Sequence, residues 1–386
     1  MREQIPVAPD VLVWARQSAL ASLADASERT GQPEEAIRDW EAGRSQPTYG
    51  QLERLADEYG VSVNVLLLPA RPQVPAPPPD FRAPGGGHDR LSRTARRELR
   101  RARQLQVLLG EVHVLPPPAL PTVGPGVQAA TVVRAALGIK LDDQLRWKSA
   151  DAAFAAWRLA LGRIGVLVLQ HRLPDAELQG LSLPAANGGP PVIFVNQGDW
   201  INARIFTLLH ELGHLVLAHD GGICDPWRFG PRFSSGSLEA RCNRLAGAVL
   251  VPADDLRARP EVHEIPAERD DDEAVRLLGV LGSRYRVSGQ VIWYRIRELG
   301  LVSDDRFSAL WPKLRHPVRK KRPELDDEER SGIPRWKLAS SRYGGVLLDG
   351  LLSAVDRGAV EPTRVLRALS LGTGDLARLH GEPRYE

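Results

Sequence analysis

The feature that most constrains this chain is the run INARIFTLLHELGHLVLAH at residues 201–219. Ile205, Leu208, Leu209, Leu212, Leu215 and Val216 recur at helical spacing, which predicts a long amphipathic helix over 200–218 with a wide buried stripe. His210 and His214 are four residues apart, so one face carries both imidazoles, with Glu211 beside them. Two imidazoles so placed suit a single zinc ion. The adjacent carboxylate is then positioned to take a proton from water and pass it to a leaving amine. The competing reading is two histidines on a helix that binds nothing.

A catalytic zinc site takes three protein ligands and keeps one position open. A third histidine six residues after the second would complete one known pattern, but that position is Asp220, and His219 falls one residue short. The better candidate is Glu239 in SLEARCNRLAGAVLVP, at the start of a predicted helix over about 237–250 that Pro252 stops. Glu239 reads either as the third ligand or as an ordinary first-turn carboxylate favoured by the helix dipole. Asn243, four residues on, faces the same way and could orient the carboxylate, or it is a surface amide. Cys242 is a further soft donor or redox switch, or simply a buried thiol. If Glu239 is the third ligand, the set His210, His214 and Glu239 holds one zinc per chain, with Glu211 as the catalytic base. Donors to a developing oxyanion are sought at His219, Tyr285 and Arg295, each of which also has a purely structural reading.

The chain has 386 residues, enough for two or three domains. Its two cysteines, Cys224 and Cys242, make no disulfide framework. The N-terminus has no apolar leader, and no apolar run approaches the roughly 20 residues that span a bilayer, so the default location is the cytosol. Residues 9–69 read as five short helices, with Gly31, Gly43 and Gly60 as stops and Pro47 before a start. Residues 69–88 are a Pro/Gly-rich linker, and 90–110 an Arg-rich helix read as exposed. After a second Pro-rich break at 115–125, helices are expected at 127–138 and 142–162 and strands at 164–169 and 191–196. Further helices follow at 271–284 and 288–299, then a charged linker over 312–334 and two or three helices over 344–380. The fold class is mainly α with a small β-sheet (α+β). The division is 1–70, a five-helix unit; 71–125, linker with the Arg-rich helix; 126–305, the metal-bearing domain; and 306–386, a charged linker with a helical tail for dimerisation or docking.

RIFTLLHELGHLVL followed by EARCNRLAGAVLVP resembles the ImmA/IrrE family of metallopeptidases, with Glu239, Asn243 and Leu250-Val251-Pro252 at the matching places. VSGQVIWYRIRELGLVS, with Ser288, Arg295 and Leu299, is similar to the family's closing helix. The resemblance spans roughly 130–303. It implies a zincin-like, gluzincin-type peptidase that makes limited cuts in a repressor protein, often itself a helix-turn-helix protein, to release phage, mobile-element or stress genes. WAR at 14–16, SLADASERTG at 22–31, DWEAG at 39–43, Pro47 and QLERLA at 51–56 resemble a Cro-like (XRE-type) helix-turn-helix.

The resemblance to a helix-turn-helix implies DNA, with Gln32, Arg38 and Arg44 as the candidate contacts and residues 1–110 as the interface. Charge argues otherwise. Residues 1–70 hold six arginines and no lysine against eleven carboxylates, a net −5, and the expected recognition helix opens Gln32-Pro33-Glu34-Glu35. The module therefore either binds DNA with help from the Arg-rich helix or docks protein. Two functions remain open at this point: a zinc endopeptidase acting on a regulatory protein, and a non-catalytic DNA-binding regulator or antitoxin-like protein with a vestigial peptidase domain. A homodimer is compatible with either.

Overall fold

The computed structural model describes residues 4–19, 21–59, 61–71, 93–123, 128–173, 178–217, 222–224, 237–265, 270–314 and 334–381. They fall into two compact units, Met1–Gln104 and Leu105–Glu386.

The first unit opens with five helices: α1 (Pro9–Ser18), α2 (Leu23–Thr30), α3 (Glu34–Glu41), α4 (Tyr49–Tyr59) and α5 (Val63–Leu66). Local chemistry fixes the α2–α3 corner. Ser22 and Asp25 form a capping box at the start of α2, and Gly31 ends it in the left-handed region at φ 66°, so the chain can turn into α3. Leu12, Ala15, Ala26, Ile37, Trp40, Leu52 and Leu55 close the core.

The helix expected to be Arg-rich and exposed is α6 (Arg93–Val112), and it is not an exposed element. Ala95, Leu99, Ala102, Leu105, Leu108 and Leu109 form a buried stripe at helical spacing, and Arg101 is itself buried against Glu98 at 2.6 Å. The arginine count hid an apolar period. In the second unit, Gln106 Nε2 donates to the carbonyls of Pro184 and Pro190, 2.8 Å each. A Cβ on Gly110 would fall 2.5 Å from the Asn187 carbonyl, so that turn of helix lies directly on the 184–190 connection.

The second unit is built on a four-stranded sheet of order β1-β3-β2-β4: β1 (Leu167–His171), β2 (Gly180–Leu183), β3 (Val192–Asn196) and β4 (Gly222–Cys224). β1 runs parallel to β3, while β2 is antiparallel to both β3 and β4. The expected strand at 164–169 begins later, because Ile164 caps the preceding helix and Gly165 turns at φ 76°. The expected helix 142–162 is two, α8 (Leu141–Arg146) and α9 (Ala150–Arg163). Trp147 is extended between them, and Ser149 recaps α9 by accepting from the Ala152 amide.

The long central helix α10 (Ile201–Leu217) packs on β2, β3 and α9. The apolar spacing predicts burial along one stripe, yet every residue from Ile205 to Val216 is buried. Its other faces are covered by α11 (Leu238–Leu250) and the core built by α14 (Asp271–Tyr285) and α15 (Gly289–Glu298). Short helices α12 (Ala253–Arg257) and α13 (Pro260–Glu264) bridge α11 to α14, and α7 (Gln128–Leu137) packs on α11.

The core does not stop at residue 305. α16 (Asp304–Leu310) and the 3-10 turn Trp311–Leu314 add Phe307, Leu310, Trp311 and Leu314 to it, and Trp293 Nε1 donates to the Phe307 carbonyl at 3.2 Å. The expected charged linker falls mostly on 315–333, outside the described residues. Over 344–380, where the sequence predicts two or three helices, there are three, α18 (Gly345–Asp356), α19 (Pro362–Ala368) and α20 (Asp375–Gly381); α17 (Arg335–Tyr343), which the sequence does not predict, precedes them. Pro334 starts α17, and Gly344 separates it from α18 at φ 81°. No helix among the described residues is long and apolar enough to cross a membrane.

Candidate metal centre

The site is made where α10 and α11 touch. Gly213, the small residue of the HELGH run, is the point of contact. A Cβ there would sit 3.1 Å from both Cα and Cβ of Cys242 and 3.3 Å from its sulfur. Two helix backbones this close bring the first turn of α11 over His210 and His214. Ser237 caps that turn by accepting from the Ala240 amide, which fixes where Glu239 projects.

His210, His214 and Glu239 form a metal-ligand cluster, all buried, with one ligand atom from each within 4.8 Å of the others. The two Nε2 atoms are 3.1 Å apart. His210 Nε2 lies 3.2 Å from one Glu239 oxygen, and His214 Nε2 lies 3.1 Å from the other. In a tetrahedral zinc site with bonds of about 2.0–2.1 Å, ligand-to-ligand edges are about 3.3 Å. The donor set and spacing therefore fit a zinc ion.

Asn243 Oδ1 meets His210 Nδ1 at 2.7 Å. An amide oxygen only accepts, so Nδ1 carries the proton and the neutral ring turns its Nε2 lone pair to the cluster. The three groups are coupled electrostatically. Burial disfavours the charged form of His210, but Glu239, Glu211 and Asn243 outweigh it and hold its pKa above the ordinary value. For His214 burial prevails and the pKa falls. Burial would raise the Glu239 carboxyl, yet the two imidazoles hold it far below the carboxylate range.

Glu211 is fully buried, and one of its oxygens accepts from Ser182 Oγ at 2.9 Å. Gly180, two residues earlier on the same face of β2, would place a Cβ 2.7 Å from the other oxygen. β2 thus seats the catalytic candidate: Ser182 grips one oxygen and the bare Gly180 leaves room for the other. Sequence reasoning missed both, because GLSL is too short for a convincing alternating strand.

The remaining candidates lie elsewhere. Tyr285 donates to Asp255 at 2.5 Å. Burial first, then that carboxylate, pushes its phenol well above the ordinary tyrosine value. Arg295 donates to the Val251 carbonyl at 3.1 Å and to Glu298 at 3.0 Å, closing the C-terminal end of α11. Tyr285 thus spends its one hydrogen on Asp255, and Arg295 ties α11 to α15. His219 lies outside the described residues, as does the side chain of Cys224. Cys242 is buried and free; burial first, then Glu239 and Glu211, pushes its thiol well up, so it packs as a neutral group and stands outside the ligand trio.

In the first unit, Gln32 is buried rather than offered to a groove, and it accepts from Gln51 at 2.8 Å. Arg38 pairs with Glu34 at 3.7 Å and Arg44 with Asp39 at 2.6 Å, while Glu34 and Glu35 are exposed. The outer face of α3 is acidic, and each of its two nearby arginines lies beside a carboxylate.

Two family models match the chain. The IrrE N-terminal-like domain, a peptidase family, matches residues 161–297, which contain β1 to β3, α10, α11 and every residue of the metal cluster. The helix-turn-helix family matches residues 13–66. A search of curated proteins finds no match to the chain.

Proposed function

We propose that this chain, which matches an IrrE N-terminal-like peptidase domain behind a helix-turn-helix domain, is a zinc-dependent endopeptidase that cuts a regulatory protein. The observation that carries this reading is the joint placement of His210, His214 and Glu239 around one point, with Glu211 held alongside by Ser182. A vestigial domain has no use for a catalytic carboxylate kept buried in a dedicated seat, since burying one is costly.

Zinc held by the trio supplies Lewis acidity toward the scissile carbonyl and its attacking water. The protein does the rest. Asn243 fixes the His210 ring, and Ser182 fixes the Glu211 carboxylate. Glu211 accepts the proton that water loses on attack, then returns it to the amine that leaves. The dense apolar packing of α10 keeps bulk solvent from competing for that proton.

The substrate we infer is a transcriptional repressor of the helix-turn-helix type. The acidic outer face of α3 supports docking by protein contact over phosphate contact. The reading is tested by co-expressing the full chain, wild type or Glu211→Gln, with candidate helix-turn-helix repressors and mapping the cut. Wild type should cleave and hold one zinc per chain by elemental analysis. Glu211→Gln should hold the zinc and lose about 10²–10⁴-fold in rate. A metal-free chain that leaves every repressor intact would sink the reading.

A further inference from the structure

A second site lies in the same unit, away from the metal cluster. α9, β1, the α17–α18 corner and Leu115 line a half-open cavity of about 420 Å³, inside the ~300–1,000 Å³ range of small-molecule pockets. Most of its wall is apolar, including Phe154, Leu159, Val166 and Leu347. Its polar end is one-sided in charge. Arg158 and the exposed Lys337, whose Nζ lies 5.3 Å over the Trp336 ring, supply its charges, and none of the lining residues carries a carboxylate.

Arg158 is the unusual group. Its guanidinium donates to the carbonyls of Ser341 at 2.8 Å, Val168 at 2.8 Å and Arg342 at 3.0 Å. Those three bonds use three of its five N–H donors. Among the described residues no carboxylate pairs with it. Burial, aided by the nearby Arg204 charge, lowers its pKa to about 9. Its charge is met only by carbonyl dipoles, so an anion would add the one partner of opposite charge. Solvent still reaches part of the residue, as expected of a group on a cavity wall.

Two further features strengthen the positive end. The N-terminus of the twelve-residue α18 is at the cavity: Gly344, Gly345, Val346 and Leu347 line it, and no side chain caps the helix. Its first-turn amides are therefore free of helix partners and point their partial positive charge outward. Gly344 also lets the guanidinium approach, for a Cβ there would lie 3.1 Å from Arg158 Cζ. Gln170 is held in the same wall by donating to the Ser341 carbonyl at 3.1 Å.

From this combination we propose that the cavity binds a small amphipathic anion, a carboxylate or phosphate head on an aliphatic or aromatic body. The head lies between Arg158, Lys337 and the start of α18, and the body lies against Phe154, Leu159 and Leu347. The wall touches the metal-bearing helix without sharing its chemistry. Arg204 of α10 donates to Gln170, and its guanidinium lies 4.7 Å over the Phe154 ring.

The test uses the zinc-loaded full chain and four probes of one length: octanoate, octyl phosphate, octanol and octylamine, with acetate as head without body. Calorimetry and thermal melting should show saturable binding of octanoate, octyl phosphate or both at one per chain. Octanol, octylamine and acetate should bind at least about tenfold more weakly, the scale of one charge-assisted contact. Val346→Asp places a carboxylate at the α18 N-terminus, where the helix dipole favours it and the fold is kept. It should abolish anion binding, and Arg158→Gln should weaken it at least tenfold. No saturable binding by either anion, octanol binding as tightly as octanoate, or undiminished anion binding by a folded Val346→Asp chain would each overturn the proposal.

Discussion

At the scale of single residues, the site divides into groups placed as metal ligands and groups that hold those groups. Ser182 belongs to the second kind. Replacing it with Ala removes one hydrogen bond from a fully buried carboxylate, and the loss should appear in kcat by about tenfold while zinc content stays at one per chain. An unchanged kcat would show that Glu211 needs no such anchor. Asn243→Ala should act on the other side of the division. Without the amide, His210 loses its fixed tautomer, and zinc affinity should fall about 10–100-fold in a competition titration with a chelator. His210, Glu211 and His214 are legible in the sequence, because spacing of four on a helix is also a spatial statement. Glu239 and Asn243, on a second helix, stay open on spacing alone and are singled out by the family resemblance. Ser182 and Gly180 are not legible, because the Ser182 bond to Glu211 crosses from strand to helix over 29 residues, and nothing local announces it. Tyr285 and Arg295 have suitable chemistry, but no spacing ties them to the histidine face, and their partners, Asp255 and Glu298, are scaffold residues.

At the scale of elements, the separation of α10 and α11 decides whether a ligand trio exists. Gly213→Ala tests it. The added methyl would meet the Cys242 backbone at 3.1 Å, and a backbone atom gives way less readily than a side-chain tip. Overpacking of this sort costs roughly 1–3 kcal/mol, so the variant should unfold at lower denaturant and hold zinc more weakly. Wild-type stability and affinity together would mean that the helices part without consequence. Long periodic elements are readable: α10, α11, α14 and α15 fall within one or two residues of expectation. Two kinds of element are not. The four-residue β2 and three-residue β4 exist only because β3 and each other supply their partners. The α6 stripe of Ala95, Leu99, Ala102 and Leu105 is a sound helical period, but its Ala positions carry little hydropathy beside so many arginines.

At the scale of the whole molecule, charge on the first unit bears on how the chain finds its target. Arg38 and Arg44 each face a carboxylate, so Arg38→Ala with Arg44→Ala should change affinity for a duplex DNA probe by less than about threefold in a gel-shift assay. Glu34→Gln with Glu35→Gln should tighten the same binding and steepen its salt dependence. The opposite pattern would mark α3 as a phosphate-contacting helix. The two units also close separate cores, one around Leu12, Trp40 and Leu52, the other around Trp157, Phe206 and Trp293. An ion that binds only the native form stabilises only the unit whose fold creates its ligands. On the proposed function, scarcity of zinc would therefore loosen the peptidase unit while the helix-turn-helix unit, proposed to dock, stayed folded. Such a molecule can still occupy its partner after losing the power to destroy it.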